Sequence, residues 1–337
     1  MKIGIVNPSP SAVEAQRRAL GLRPAHTTIW IAASGKEALA HCALQLPDLV
    51  LIDVNMPGTD GVGTTRHIMR EFPCPILIVT SSVTASTARV FEAMGHGALD
   101  AVDAPGAEPA SVAAFLKKID TLEKLVGSKG VSGSRQSLGD TGVILRRDLL
   151  VAIGASAGGP AALATLLGAL PRDFPAGIVI VQHVDERFAR SMAEWLAQQC
   201  RMEVRPAAED DRPTAGVALL AATNQHLALK AGNRLGYCME PASAVYRPSV
   251  DVFLESVCTH WKGDAIGVLL TGMGRDGARG LKALRSLGHY TIAQDSVTSA
   301  VYGMPKAAAA LGAAVDVLPL DKIAPRLLET VMYGVIR

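Results

Sequence analysis

Three side chains in this 337-residue chain could together carry covalent chemistry: Ser156, His183 and Asp276. They would supply a nucleophile, a base to take its proton, and a carboxylate to orient the imidazole. The serine sits in Gly154-Ala155-Ser156-Ala157-Gly158, the G-x-S-x-G form that exposes a hydroxyl on a sharp strand-to-helix turn. Backbone N–H groups at the start of the next helix face the same spot and could hold an oxyanion. Two duller uses fit this pentapeptide as well: a glycine-rich turn that only packs tightly, or one that cradles a phosphate. Taken singly, His183 fits polar surface and Asp276 fits a cap for the helix after it. Placement sets the three apart. Each follows an apolar run of strand character, beside glycine or another small residue, and open α/β sheets build their sites at such ends. The order Ser, His, Asp departs from the Ser, acid, His order of α/β-hydrolases, which disfavours that fold.

Sheets are needed to hold those ends in place. In the second half, predicted strands at 149–153, 177–181, 265–270, 290–294 and 314–317 alternate with helices at 161–170, 187–199, 249–261, 278–287, 305–311 and 323–332. Runs at 217–221 and 227–230, turning beyond at 231–236, predict an antiparallel insert around 215–240 in a doubly wound α/β sheet. In the first half, strands at 3–6, 28–32, 48–52, 75–79 and 99–102 alternate with five helices. That alternation predicts another doubly wound parallel sheet with right-handed crossovers. A Gly/Ser-rich stretch without periodicity joins the halves. The expected domains are 1–126 and 148–337, with a flexible linker at 127–147.

Composition narrows the function classes. Basic and acidic residues nearly balance, 33 against 31, and no basic stripe runs beside aromatics, which argues against nucleic acid as a partner. The chain enters a strand pattern at once, without signal-peptide anatomy, and no apolar run approaches the ~20 residues that span a bilayer. Five scattered cysteines without a C-x-x-C pair read as buried free thiols of a cytoplasmic protein.

Two resemblances add to this. The stretch Leu49-Val50-Leu51-Ile52-Asp53-Val54-Asn55-Met56 resembles the phospho-acceptor loop of response-regulator receiver domains, which implies a flavodoxin-like (βα)5 fold. Asp53 then matches the phosphorylated aspartate and Thr80 the switch hydroxyl. The chain departs from that family at two places. Asn7-Pro8 stands where an acidic pair binds Mg²⁺, and Ala104 where a lysine meets the phosphate. A Mg²⁺ site near Asn7, Asp53 and Asn55 is therefore weak or absent, because Mg²⁺ wants several oxygen ligands and charge to neutralise.

The second half resembles the chemotaxis protein-glutamate methylesterases, the CheB family. The motifs are Gly154 to Pro160, Val181-Gln182-His183, Tyr246-Arg247-Pro248-Ser249-Val250-Asp251, Leu270 to Gly277, Thr291 to Asp295, and Gly303-Met304-Pro305. Receiver, linker and esterase in this order are also that family's layout. Residues 3–7 and 91–100 further resemble its WspF branch, which serves surface-sensing arrays controlling cyclic-di-GMP. The resemblance implies hydrolysis of glutamate γ-methyl esters on the cytoplasmic helices of a methyl-accepting chemoreceptor, and deamidation of certain glutamines. Ser156, His183 and Asp276 would be catalytic. The backbone N–H of Met273, with Ala157, would hold the oxyanion. Arg247 either contacts substrate or pairs with Asp251. Gln294 and Asp295 shape the pocket or merely a turn, while Met304, His226, His260 and His289 read as ordinary structural residues. The esterase needs no metal or cofactor, and Mg²⁺ matters only if the receiver is phosphorylated. A histidine kinase of the array is the expected second partner, and the receiver would gate the site. A different class of function stays open: a non-catalytic scaffold that binds a kinase or receptor array through its altered receiver. A nucleotide-binding role is weaker, since G-x-G-x-x-G is absent.

Overall fold

Wholly buried strands locate the centre of each half. A computed structural model of the chain describes residues 1–56, 60–126 and 148–333, so the expected linker lies outside the described residues. The chain divides into two units, Met1–Val131 and Ser132–Arg337, each with its own sheet.

In the first unit, β1 (Lys2–Val6), α1 (Pro10–Leu20), β2 (Thr27–Ala32), α2 (Gly35–Leu44) and β3 (Leu49–Ile52) are followed by α3 (Gly61–Glu71), β4 (Ile76–Thr80), α4 (Thr87–Gly95), β5 (Asp100–Asp103) and α5 (Pro109–Val126). Every residue of β3 and β4 is buried, as parallel strands covered on both faces require. The five strands pair in parallel in the order β2-β1-β3-β4-β5. The order reverses between β1 and β3, so the crevice lies where Asn7 and Asp53 leave the sheet.

The second unit opens with β6 (Leu149–Ala155), α6 (Gly159–Gly168), β7 (Gly177–Gln182), α7 (Glu186–Gln199), β8 (Glu203–Pro206) and β9 (Val217–Leu220). A hairpin of β10 (His226–Lys230) and β11 (Arg234–Cys238) follows. Then come α8 (Val250–His260), β12 (Asp264–Leu269), α9 (Ala278–Ser286), β13 (Tyr290–Gln294), α10 (Met304–Ala310), β14 (Asp316–Leu318) and α11 (Leu320–Tyr333). Seven strands form one parallel sheet, β14-β13-β12-β6-β7-β9-β8. The chain starts in its middle, winds out through β7, then returns to add β12 beside β6. The switch point is thus β6/β12.

The antiparallel insert expected around 215–240 is present as the β10–β11 hairpin, with one arm different from the expected one. The run at 217–221 is not one of its arms: β9 joins the parallel sheet between β7 and β8, and the hairpin pairs β10 with β11. Its turn is at Gly232 and Asn233, both with left-handed φ, +78° and +58°, a conformation these two residue types tolerate. Helix α8 lays Val250, Phe253, Leu254 and Val257 into a core shared with Leu150, Val179 and Leu269. Each such buried side chain contributes about 1.5–3 kcal/mol. That burial fixes the N-terminus of α8 over the carboxyl ends of the strands.

Candidate active site

Parallel pairing brings the serine and histidine out side by side. Ala155 lies opposite Gln182 across β6 and β7, so Ser156 and His183 are the next residues of adjacent strands. Gly154 lies opposite Leu269 of β12, and the loop after that strand carries Asp276. The Ser156 N–H donates to Thr271 O at 3.0 Å. Its carbonyl accepts from Gly159 N–H at 2.7 Å and from Gln182 Nε2 at 2.9 Å. Any side chain at Gly272 would collide here, because its Cβ would stand 2.8 Å from Ser156 Cβ and 2.3 Å from Met304 Sδ. Gly158 turns with φ +73°, and a Cβ there would meet Ala300 at 2.6 Å. Thr271 ties the loops together, its Oγ1 donating to Ala157 O at 2.9 Å and accepting from Val301 N–H at 2.9 Å. Buried Gln294 braces the same loop, its Oε1 accepting from Thr271 N–H at 2.8 Å, while Asp295 closes the Thr298 turn. Met304 is packing, wholly buried.

His183 meets Asp276 through Nε2, at 2.8 Å from Oδ2, and its Nδ1 is buried with no hydrogen-bond partner. Asp276 is also the hub of five protein hydrogen-bond donors in all. Besides His183, Oδ2 accepts from Val250 N–H (2.7 Å), and Oδ1 accepts from Ser249 Oγ (2.8 Å), Asp251 N–H (3.0 Å) and Gly277 N–H (3.1 Å). The helix whose first turn it caps is α8, not α9 as chain order suggested. Burial pushes the Asp276 carboxyl up, but His183 and the α8 N–H groups outweigh it and hold the pKa below its ordinary value. An ionised carboxylate at a helix N-terminus, with all these donors, keeps the imidazole proton on Nε2 and leaves Nδ1 a bare acceptor.

Among the described residues, the N–H groups of Ala157 and Met273 have no hydrogen-bonded partner, while those of Ser156 and Gly272 are spent on Thr271 O and Val301 O. Arg247 does not pair with Asp251. Its Nη2 donates to Ala242 O at 2.6 Å, and Asp251 is taken by Arg279 Nε (3.1 Å) and Gly280 N–H (2.8 Å). His226 is more than an ordinary residue: wholly buried, it accepts Ser249 N–H on Nδ1 at 3.1 Å, one step from Asp276. Burial pushes its pKa down, so it stays neutral. The signal for it, a histidine opening an apolar strand, was present but unspecific. Of the cysteines, Cys42 and Cys74 are buried, with burial raising their thiols to about 11 and about 12, whereas Cys200, Cys238 and Cys258 are only half-buried.

In the first unit, Asn7 Nδ2 donates to Asp53 Oδ2 at 3.3 Å, and Asn7 Oδ1 accepts Ser9 N–H at 2.8 Å. Asn55 N–H donates to Asp53 Oδ1 at 2.9 Å, and its side-chain Nδ2 reaches Thr80 Oγ1 (3.0 Å) and Ser86 Oγ (2.5 Å). Ala104, at the lysine position, gives only its N–H, to Thr80 O at 2.7 Å. One carboxylate faced by an amide N–H donor does not fit a hard divalent cation. Another cluster, His26 between Asp120 and Glu123, has its charges matched by Arg23 and the Met1 ammonium.

The family model for CheB methylesterase matches residues 151–327, and that for the response regulator receiver domain matches residues 3–115. A protein-glutamate methylesterase/protein-glutamine glutaminase of Pseudomonas fluorescens is 56% identical over 333 residues, covering 98% of this chain and 99% of that protein. One from Burkholderia orbicola is 56% identical over 340 residues, covering 98% of each chain. Among solved structures, the Thermotoga maritima CheB methylesterase catalytic domain is 35% identical with a TM-score of 0.52, covering 55% of this chain and all of that one. With matches that span both halves and a strand-end Ser-His-Asp constellation in the second, this chain belongs to the CheB family of receiver-linked methylesterases.

Proposed function

We propose that this protein hydrolyses glutamate γ-methyl esters of a methyl-accepting chemoreceptor, and deamidates receptor glutamines, with Ser156 as nucleophile. The observation that carries the reading is His183 held at Nε2 by Asp276 with Nδ1 buried and unspent, one strand over from Ser156. Ser156 Oγ attacks the ester carbonyl as His183 Nδ1 takes its proton. The carbonyl oxygen becomes an oxyanion facing the N–H groups of Met273 and Ala157. One such donor lowers the barrier by ~3–4 kcal/mol. Collapse breaks the bond to methoxide, which leaves as methanol with the proton from His183. Water, deprotonated by the same imidazole, then cleaves the Ser156 ester and frees the glutamate carboxylate. With a glutamine the leaving group is ammonia.

The domain limits 1–126 and 148–337, gating of the site by the receiver, a cytoplasmic setting, and service to a WspF-like array with its histidine kinase belong to the same reading. No helix among the described residues is long and apolar enough to cross a membrane. The commitment of Asn7 to Asp53 and Ser9 favours a second element: control by a partner, or constitutive opening, rather than by efficient Mg²⁺-dependent phosphorylation of Asp53.

The deciding experiment follows methanol release from methylated receptor by the full chain and by Ser156→Ala, each with and without Mg²⁺ and a small phosphodonor. Release that needs Ser156 supports the esterase. Release equal in both proteins, or none from the folded wild type, removes it and favours the scaffold. A phosphodonor response lost in Asp53→Ala would mark a working receiver.

A further inference from the structure

The imidazole of His183 is held on its face as well as its edge. The ring of Tyr246 lies parallel to it, centroids 4.2 Å apart and planes 5° from coplanar. Tyr246 reaches this place from the loop before α8, two residues ahead of the buried Pro248–Ser249 segment that anchors Asp276. Its hydroxyl end lies over Gly274, where a Cβ would stand 2.9 Å from Oη, so the glycine after Met273 makes room for it. One aromatic ring thus spans the proposed base and the proposed oxyanion loop.

We propose that Tyr246 is a positioning residue for the esterase reaction, clamping His183 by its face and stabilising the imidazolium formed when Ser156 gives up its proton. This rests on the reading of Ser156 and His183 above. Asp276 alone fixes one ring nitrogen and leaves rotation about that hydrogen bond open. A parallel ring at 4.2 Å closes that freedom, and it keeps Nδ1 turned toward the serine side. When the proton moves from Oγ to Nδ1, the ring becomes a cation lying over a π-face, an attraction absent while it is neutral. The contact therefore strengthens along the reaction, which is the condition for raising kcat rather than only lowering KM. The ring makes the contact and, among the described residues, the hydroxyl has no hydrogen-bonded partner. Phenylalanine should therefore replace it.

The test compares full-length wild type, Tyr246→Leu, Tyr246→Phe and Ser156→Ala in two assays. One is methanol release from methylated receptor, resolved into kcat and KM. The other is the rate at which a small alkyl fluorophosphonate labels Ser156, which needs the base but no receptor docking. Expected for Tyr246→Leu is a fall of about tenfold in both kcat and labelling rate with KM near wild type, and for Tyr246→Phe recovery to within about twofold. Thermal unfolding shows whether the leucine variant is folded. Labelling of Tyr246→Leu at the wild-type rate overturns the proposal even if methanol release falls, since Tyr246 would then act on receptor docking. A folded phenylalanine variant as slow as leucine also overturns it. Failure of the serine mechanism itself would appear separately, as methanol release that survives Ser156→Ala.

Discussion

Asp276 binds His183 at Nε2, leaving Nδ1 as the nitrogen that can act as base. In the familiar triad the carboxylate holds Nδ1 and Nε2 works, so here the imidazole is held the other way round. The reason lies in where the carboxylate stands. It is pinned at the first turn of α8 by Val250, Asp251 and Ser249, and the histidine comes to it from the end of β7, on the far side of β6 from β12.

The first expectation concerns Asp276→Asn. An amide has one acceptor oxygen where the carboxylate serves five donors, and its NH₂ would face N–H groups or force the imidazole into the wrong tautomer. Methanol release should fall by about 10⁴. The unfolding free energy of the second unit should fall by about 1–3 kcal/mol, because buried helix N–H groups lose their acceptor. Receptor assays with calorimetry check both. Activity within tenfold of wild type would show that Asp276 is only a cap.

Acid should weaken the second unit in two separate steps. The folded-state pKa of His226 lies below its ordinary value near 6.5. Its contribution is whole above that pH and is lost as pH falls toward the folded value, since the unfolded chain takes up the proton first. Asp276 is also depressed, from near 4, so its contribution is whole above that pH and is lost at lower pH still. Calorimetry of the full chain from pH 8 to pH 3 should show both legs. His226→Gln should flatten only the leg beginning below pH 6.5, and Asp276→Asn only the one below pH 4. Identical slopes in wild type and His226→Gln would exclude His226 as the source.

Much of this arrangement was legible in the residues. Continuous apolar runs gave the central strands because parallel strands are buried on both faces, and the small residues after them marked the turns where Ser156, His183 and Asp276 stand. The antiparallel insert was legible within 215–240, but one arm was misassigned because a short apolar run such as 217–220 does not reveal its pairing partner; only the sheet does. For Arg247 the residues leave a substrate contact and a pair with Asp251 equally open, and α9 brings Arg279 to Asp251 instead. Tyr246, though it opens a family motif, and His226, whose signal was unspecific, could not be placed beside His183 and Asp276 for a related reason. Their contacts depend on the angle at which α8 and its preceding loop cross the strand ends, which no local spacing encodes.

Gly272→Ala tests how tightly Ser156 is set. The added methyl would overlap Met304 Sδ and Ser156 Cβ, and the loop on one side must give way. Overpacking of this sort costs about 1–3 kcal/mol. The protein should still fold, but fluorophosphonate labelling of Ser156 should drop by about a hundredfold, as a shift near 1 Å at a reacting group does. Labelling at the wild-type rate in a folded variant would mean that the loop has slack which the geometry does not suggest.

The receiver gives the last expectation. Asn7 donates an N–H to Asp53, doing with an amide what a cation does where two further carboxylates flank the acceptor. Replacing it, in the double variant Asn7→Asp with Pro8→Asp, puts three carboxylates at one sheet end. Without metal their mutual repulsion lowers stability, and the loss of Pro8 before the Ser9 cap costs a further ~0.5 kcal/mol. With Mg²⁺ the same charges become ligands, and binding to the folded state alone raises the melting midpoint by mass action. The variant should therefore melt below wild type in chelator and recover in millimolar Mg²⁺, while wild type hardly responds. Its phosphodonor labelling at Asp53 should rise with the same Mg²⁺ dependence. A wild-type midpoint that climbs with Mg²⁺ as steeply as the variant's would show that Asn7 and Asp53 already hold the ion, and that the receiver is regulated in the ordinary way.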